Sequence, residues 1–387
     1  MSRIYTQDPS RRPPTFEEAR NTRQKVRAAG MHPDYWYPAL WEGDLKAGEV
    51  KEVVFWRRSI AVYRGDDGQV RAVENRCAHR QLKLTGGFVE GCNLVCPYHG
   101  WSHNGEGKVV DIPHSLFGKK YPKFKVPAVP VKIRYGVIWI FPGNPDKAET
   151  VALPEIPELE GRDPWAHIAV DYTVSAHHSM VIDNVSDFTH AYLHRRFKPF
   201  SDAQLLRYEL IGDTIELEYN TKVGRGRFSG LFVDRKSVDT EHMKLAFEYP
   251  YQRSNTDDQI KHWLFVRPID ERTTATFYIF YFRKFTIPFT SRAIPKPILR
   301  TFLRIAKKMT VGPLLQEDAD AVDAEQRGYE DHFDAPIAEL NPVVKAFQSL
   351  TIRKWQEYLD SQGKTSLKKK PKKTKTPAAT GSTTANA

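Results

Sequence analysis

Cys77-Ala78-His79 and Cys96-Pro97-Tyr98-His99-Gly100-Trp101 are the two short stretches that decide how this 387-residue chain is read. Each supplies one thiolate and one imidazole, and only residues 80–95 separate them. Two cysteines on one iron and two histidines on the other is the ligand set of a high-potential [2Fe–2S] cluster. Its imidazoles remove negative charge and raise its potential above that of a four-cysteine ferredoxin. Such a centre passes single electrons to a moderately oxidising acceptor. Zinc is the competing reading, because two Cys and two His also close a tetrahedral structural site. The pairs here are mixed, as Cys-x-His and Cys-x2-His, and Pro97 and Gly100 shape a tight loop with shielding aromatics, which favours iron–sulfur.

Composition fits an intracellular redox enzyme. The length allows about two to three domains. Of three cysteines two are assigned, so Cys92 has no partner and reads as a small loop residue outside any disulfide framework. No apolar run approaches the roughly eighteen residues of a membrane span. Met1-Ser2-Arg3-Ile4-Tyr5 lacks an apolar leader, and the expected compartment is cytoplasmic. The net charge of +11 is localised: seven lysines lie between Lys364 and Lys375, leaving about +4 for the rest. That tail cannot bury enough apolar surface to fold. Without a helix-turn-helix or RNA-binding signature, no nucleic-acid partner is expected. Contact of basic segments with an anionic membrane surface stays open.

The pattern divides the chain into an N-terminal extension (1–31), with a short helix expected from Thr15, an all-β region (32–150), a second domain (151–362) and a disordered basic tail (363–387). Val53–Trp56, Ile60–Tyr63 and Val70–Val73 read as strands around the Gly65-Asp66-Asp67-Gly68 turn. Val129–Ile133 and Val137–Phe141 flank Tyr135-Gly136 as a further pair, and Pro142-Gly143-Asn144-Pro145 closes the region. Beyond it, about 176–195 reads as helix, Leu205–Leu217 and Met243–Phe282 as β-ribbon, and the part from about 295 as helix again. There Ile298, Leu299, Phe302, Leu303 and Ala306 are expected on one buried face, with Arg300, Arg304, Lys307 and Lys308 opposite.

The electron acceptor is sought in Asp183-Asn184-Val185-Ser186-Asp187-Phe188-Thr189-His190-Ala191-Tyr192-Leu193-His194. On a helix His190 and His194 share a face, four residues apart. Two neutral imidazoles and one carboxylate with the remaining positions open form the facial triad of non-haem Fe(II) oxygenases. Open positions admit O2 to an iron that the cluster can reduce.

From residue 32 to about 360 the chain resembles the α (oxygenase) subunit of the Rieske non-haem iron oxygenases, in the single-subunit-type branch of demethylases and steroid hydroxylases. Arg80 and Gly86-Gly87 also fit the cluster motif. The resemblance implies an α+β fold: an N-terminal all-β Rieske domain, then a catalytic domain with an antiparallel sheet surrounded by helices. It implies a third iron ligand late in the chain, at Gln316-Glu317-Asp318; Asp318 is assigned, with Glu317, Asp320 and Asp323 as alternatives. It makes Asp187 a bridge between His190 and the cluster's His99 in a neighbouring subunit, hence a homotrimer, and it places Asn184 near the iron. One departure is that the family usually spaces its histidines His-x4-His, whereas this chain has His-x3-His. At about 100° per residue the shorter spacing leaves the side chains only about 40° apart on a helix. His177 and His178 are fallback ligands read as structural, and His103 and His114 are read the same way.

The cofactors implied are the [2Fe–2S] cluster, a mononuclear Fe(II), and O2 as co-substrate. No dinucleotide fingerprint is present, so NAD(P)H acts through a partner reductase or ferredoxin. The function expected is a terminal oxygenase that hydroxylates or oxidatively demethylates a small apolar, aromatic or steroid-like substrate. Phe277–Phe282 is a candidate pocket lining or core strand. The alternative is a Rieske electron carrier, for which only the first 150 residues would matter.

Overall fold

A computed structural model describes residues 12–113, 121–194, 198–223, 240–283 and 294–363. The lysine-rich tail and His114 lie outside the described residues. After a turn at Thr15–Glu18, the first helix, α1 (Thr22–Arg27), starts later than expected, where Asn21 caps it by accepting from Gln24 N. Phe16, Val26, Ala29 and Met31 are all buried, so this segment packs down rather than trailing.

Ten short strands follow: β1 (Tyr37–Trp41), β2 (Val50–Phe55), β3 (Arg58–Arg64), β4 (Val70–Glu74), β5 (Phe88–Glu90), β6 (Asn93–Val95), β7 (Ser102–His103), β8 (Val109–Asp111), β9 (Val131–Arg134) and β10 (Val137–Ile140). They form three antiparallel sheets, β1-β10-β9, β2-β3-β4 and β5-β6-β7-β8. Tight turns punctuate this part because the sequence supplies turn residues at each reversal, with Gly68 and Gly107 both at φ +77°. The β2–β3 turn is unusual in placing two non-glycine residues, Trp56 and Arg57, at positive φ. Their N–H groups donate to Pro268 O and Ile269 O, so the hairpin tip is fastened to the second half of the chain.

That half holds β11 (Ala166–Val174), α2 (His178–Ser186), β12 (Phe200–Ile211), β13 (Thr214–Val223), β14 (Thr240–Glu248), β15 (Tyr251–Thr256), β16 (Ile260–Asp270), β17 (Thr273–Phe282), α3 (Lys296–Ala306), α4 (Gly312–His332) and α5 (Pro342–Ser361). The strands form one seven-stranded antiparallel sheet, ordered β11-β17-β16-β15-β14-β13-β12. Strand alternation sends Leu217, Tyr219, Phe247, Leu264 and Tyr278 to one face, against Met180, Val322 and Phe347 of the helices. The other face, with Phe265, Phe277, Ile279 and Tyr281, packs on Trp36, Trp139 and Phe141 of the β1-β10-β9 layer. The 277–282 run therefore fills two cores, one on each side of the sheet.

Two expectations are corrected. The helix read over about 176–195 ends at Ser186; Asp187 is extended (φ −105°, ψ 93°), and a 3-10 segment, Phe188–Tyr192, follows. In α3 Leu299, Leu303 and Ala306 are buried, but Ile298 is 61% exposed, turned away from the core face it was assigned to.

Candidate functional site

The two cluster loops are built alike. Cys77 N donates to Leu82 O and Gln81 N to Cys77 O; Cys96 N donates to Trp101 O and Gly100 N to Cys96 O. Each loop turns through a positive φ four residues after its cysteine, at Gln81 (63°) and Gly100 (68°). Between them Gly87 lies so close to the second loop that a Cβ would sit 1.9 Å from Val95 O, which explains a glycine there. Cys77 and Cys96 are buried and their thiols interact, while the imidazoles lie further out. Burial pushes the Cys77 thiol up to about 11, and Cys96 adds to the rise. His79 and His99 pair with ring centroids 4.7 Å apart, and Trp101 stacks on His79 at 4.6 Å.

No three of these four residues bring ligand atoms within 4.8 Å of one another. A tetrahedral zinc ion, with bonds of roughly 2.0–2.3 Å, would need all four donors that close. Paired thiols set apart from paired imidazoles fit a two-iron cluster instead. Beneath the first loop, fully buried His103 accepts from Ala78 N at 3.3 Å, supporting the loop rather than binding metal.

The second centre forms where the 3-10 segment meets α4. His190, His194 and Asp318 have ligand atoms all within 4.8 Å of one another. Asp318 Oδ1 faces His190 Nε2 at 3.6 Å and His194 Nε2 at 3.4 Å. The far side of each ring is held: His190 Nδ1 by the carbonyl of Asp187, and His194 Nδ1 by Glu317 Oε2 at 2.9 Å. Both Nε2 atoms are thereby aimed at one point, the usual way of fixing a ligand imidazole. Burial holds His190 below its ordinary value, outweighing the pull of Asp318. For His194 burial also lowers, but Asp318 and Glu317 together outweigh it and the net direction is up.

Asp318 Oδ1 is buried without a hydrogen-bond partner. An unpaired buried carboxylate oxygen is costly. A divalent cation between it and the two imidazoles satisfies it, so the residues present fit a mononuclear iron. The alternative acids are otherwise engaged: Glu317 with His194, Asp320 with Gln316 Nε2 (2.8 Å), and Asp323 with Ser175 N (2.7 Å). His177 and His178 are also occupied, both facing the carbonyl of Ala29 through Nε2, at 3.0 and 2.8 Å. Asn184 lines a small apolar pocket of ≈ 20 Å³ with Asp318, Tyr172, Val181, Thr276 and Tyr278.

The contact between Asp187 and His190 runs through the Asp187 main chain. Its carboxylate caps the 3-10 segment instead, accepting from Thr189 N (2.9 Å) and Thr189 Oγ1 (2.7 Å). The role of Glu317 escapes sequence reasoning, whereas His103, read there as structural, supports the first loop. Glu317 stood there only as a rival ligand, and nothing in the spacing distinguishes a ligand from the acid behind one.

An all-β cluster domain joined to a sheet-and-helix domain with a histidine–carboxylate site defines an iron–sulfur-dependent oxygenase component. Residues 35–122 match the Rieske [2Fe-2S] domain and residues 174–361 the vanillate O-demethylase oxygenase C-terminal domain. The chain is 42% identical over 342 residues to the 4beta-methylsterol monooxygenase of Methylococcus capsulatus, covering 88% of this chain and 92% of the relative. It is 35% identical over 137 residues to the vanillate O-demethylase oxygenase subunit of a Pseudomonas species, covering 35% and 37% respectively. Its fold is similar to dicamba monooxygenase bound to 3,6-dichlorosalicylic acid, with TM-score 0.69 at 20% identity over 87% of this chain and 99% of that one. The chain belongs to the Rieske non-haem iron oxygenases, as an oxygenase (α) subunit. It is a terminal oxygenase that uses a [2Fe–2S] cluster, a mononuclear iron and O2, with reducing equivalents supplied through a reductase or ferredoxin.

Proposed function

We propose that Cys77, His79, Cys96 and His99 hold the cluster, that His190, His194 and Asp318 hold the mononuclear iron, and that the enzyme oxidises a methyl group of a sterol-like substrate. The observation that carries the iron assignment is the orphaned Asp318 Oδ1 facing two Nε2 atoms whose opposite nitrogens are already held. The iron supplies O2 activation and the cluster supplies electrons one at a time. This chain's own residues do the positioning. The Asp187 carbonyl and Glu317 fix the two rings, and the largely apolar lining around Tyr172, Val181 and Tyr278 favours an apolar substrate. The sterol class is supported by the near full-length likeness to a 4beta-methylsterol monooxygenase.

The same reading carries the domain plan, 32–150 for the cluster and 151–362 for the iron, with 1–31 and 363–387 as flanking segments, and a cytoplasmic location. It also includes a homotrimer. Exposed Tyr98 and Phe88 surround the cluster face, and Tyr192, 85% exposed, stands beside His190. Docking one face on the other is a head-to-tail contact, which closes into a three-membered ring when each step turns the chain by about 120°. In this trimer half-buried Asp187, whose carbonyl holds His190, links that ring to a neighbour's His99 once its carboxylate turns from Thr189 to the neighbour. Asn184 is assigned to the iron pocket as a positioning residue.

The test is turnover with a surrogate reductase, NADH and ¹⁸O2 on a panel of 4-methylsterols, sterols without that methyl group, and methoxylated aromatics. The reading expects ¹⁸O in a product from the 4-methylsterols alone. Oxidation restricted to the aromatics would overturn the substrate class.

A further inference from the structure

The chain from Lys296 to His332 is one helical run, interrupted between α3 and α4 by a π-helical turn at Lys307–Val311. Turns of this kind inside α-helices are frequent at functional sites. The inner face of α3 is spent on the core through Leu299, Leu303 and Ala306. At about 100° per residue, Ile298 and Ile305 fall within about 20° of each other on the outer face, and Met309 continues their line. They are 61%, 53% and 55% exposed. A single exposed isoleucine needs no explanation. Three large apolar side chains in one stripe, with exposed Arg304 and Lys308 along its flank, form the cross-section of a helix lying at a membrane surface. There the apolar stripe enters the acyl boundary and the cations meet lipid phosphates.

The position of this stripe adds a purpose. Arg304, Lys307 and Lys308 border a groove of ≈ 560 Å³ that also takes in Val170, Tyr172 and Gly312. Tyr172 lines the apolar pocket beside Asp318 as well, and its hydroxyl donates to Gly312 O at 2.8 Å. One side chain therefore separates a groove at the basic, apolar surface from the candidate iron site. The ≈ 20 Å³ pocket has room for about one water, so a substrate must enter by displacing a lining element, and Tyr172 is the element shared with the groove.

We propose that α3 and the π turn dock on an anionic phospholipid bilayer, with the groove beside Tyr172 facing the lipid and taking an apolar substrate from it. The substrate half rests on the sterol reading above; the lipid contact does not. Among the described residues no helix is long and apolar enough to cross a membrane, so the contact is peripheral. A second copy of this chain is the weaker occupant, because a two-fold contact through this stripe brings Arg304 and Lys308 against their own counterparts.

The test is co-sedimentation of the full-length iron-loaded protein with phosphatidylcholine vesicles, with and without about one-third phosphatidylglycerol. Three proteins are compared: the wild type, the double variant Ile305→Glu/Met309→Glu, and a chain ending at Gly363, which lacks the lysine-rich tail. The wild type and the shortened chain are expected to bind the anionic vesicles, and the double variant at least about ten-fold more weakly. The double variant should keep its cluster spectrum and should turn over substrate delivered in cyclodextrin. Wild-type binding by the double variant, or loss of all binding with the tail, overturns the proposal. A fall in oligomer size in the double variant, with vesicle binding unchanged, assigns the stripe to a second copy. Vesicle binding without oxidation of any sterol, even from cyclodextrin, would count against the sterol reading and leave the docking surface standing.

Discussion

Glu317 hydrogen-bonds His194 Nδ1 at 2.9 Å, while its neighbour Asp318 faces the Nε2 of the same ring at 3.4 Å. Adjacent acids on α4 thus grip opposite sides of one imidazole, one orienting it and the other, in the proposed site, sharing its metal. Replacing Asp318 by Ala should abolish Fe(II) binding at this site. Glu317→Ala should weaken it by roughly 10–100-fold, the usual effect of removing the partner behind a ligand histidine. Anaerobic calorimetric titration with Fe(II) separates the two. Asp320→Ala is the control that should bind normally, since its carboxylate is used by Gln316.

Gly87→Ala should prevent cluster assembly while leaving the second centre intact. The added Cβ would lie 1.9 Å from Val95 O and force the second cluster loop outward. The expected product is a folded, colourless protein containing about one iron per chain rather than about three. Normal visible absorption in this variant would show that the loop yields.

Arg27 holds three elements together. From α1, buried Arg27 donates to Ser179 and Asp183 of α2 and to Glu325 of α4, with both carboxylates at 2.9 Å. Gln348 of α5 joins at Asp183. Arg27→Met should cost about 3–5 kcal/mol, because a buried carboxylate loses its partner. Adding Asp183→Leu should recover part of that loss, measured by denaturant unfolding.

The adjacent buried rings His177 and His178 make stability fall on acidification. Burial depresses both, His178 to about 4 from 6.5. Because the folded state excludes the proton that the unfolded chain accepts, the contribution is complete above pH 6.5 and is lost as pH falls towards 4. For His178 alone the span is worth about 3 kcal/mol. His178→Gln should flatten the decline in melting temperature between pH 6.5 and 4, and a parallel decline in both proteins would refute this origin.

The sequence made the chemistry more legible than the architecture. Cys77, His79, Cys96 and His99 read as cluster ligands because soft and imidazole donors in two loops have few other uses, and the fold brings the thiols into one pair and the rings into another. His190, His194 and Asp318 do meet, but not by the route the spacing suggested. The two histidines converge through a break at Asp187 and a 3-10 segment instead of one α-helical face. That break depends on tertiary packing, which periodicity does not encode. The division of labour between Glu317 and Asp318 was equally hidden, since it is set by which carboxylate α4 presents to each ring nitrogen. Ile298 was misplaced because a helical pattern identifies an apolar face without saying how much of it the core covers.

Iron stoichiometry, read with the electron-spin signal of the reduced cluster, tests the central claim most directly. The account predicts about three irons per chain in the wild type and about two in Asp318→Ala, with the Rieske signal unchanged between them. Two irons in both proteins, or loss of the cluster signal on removing Asp318, would contradict it.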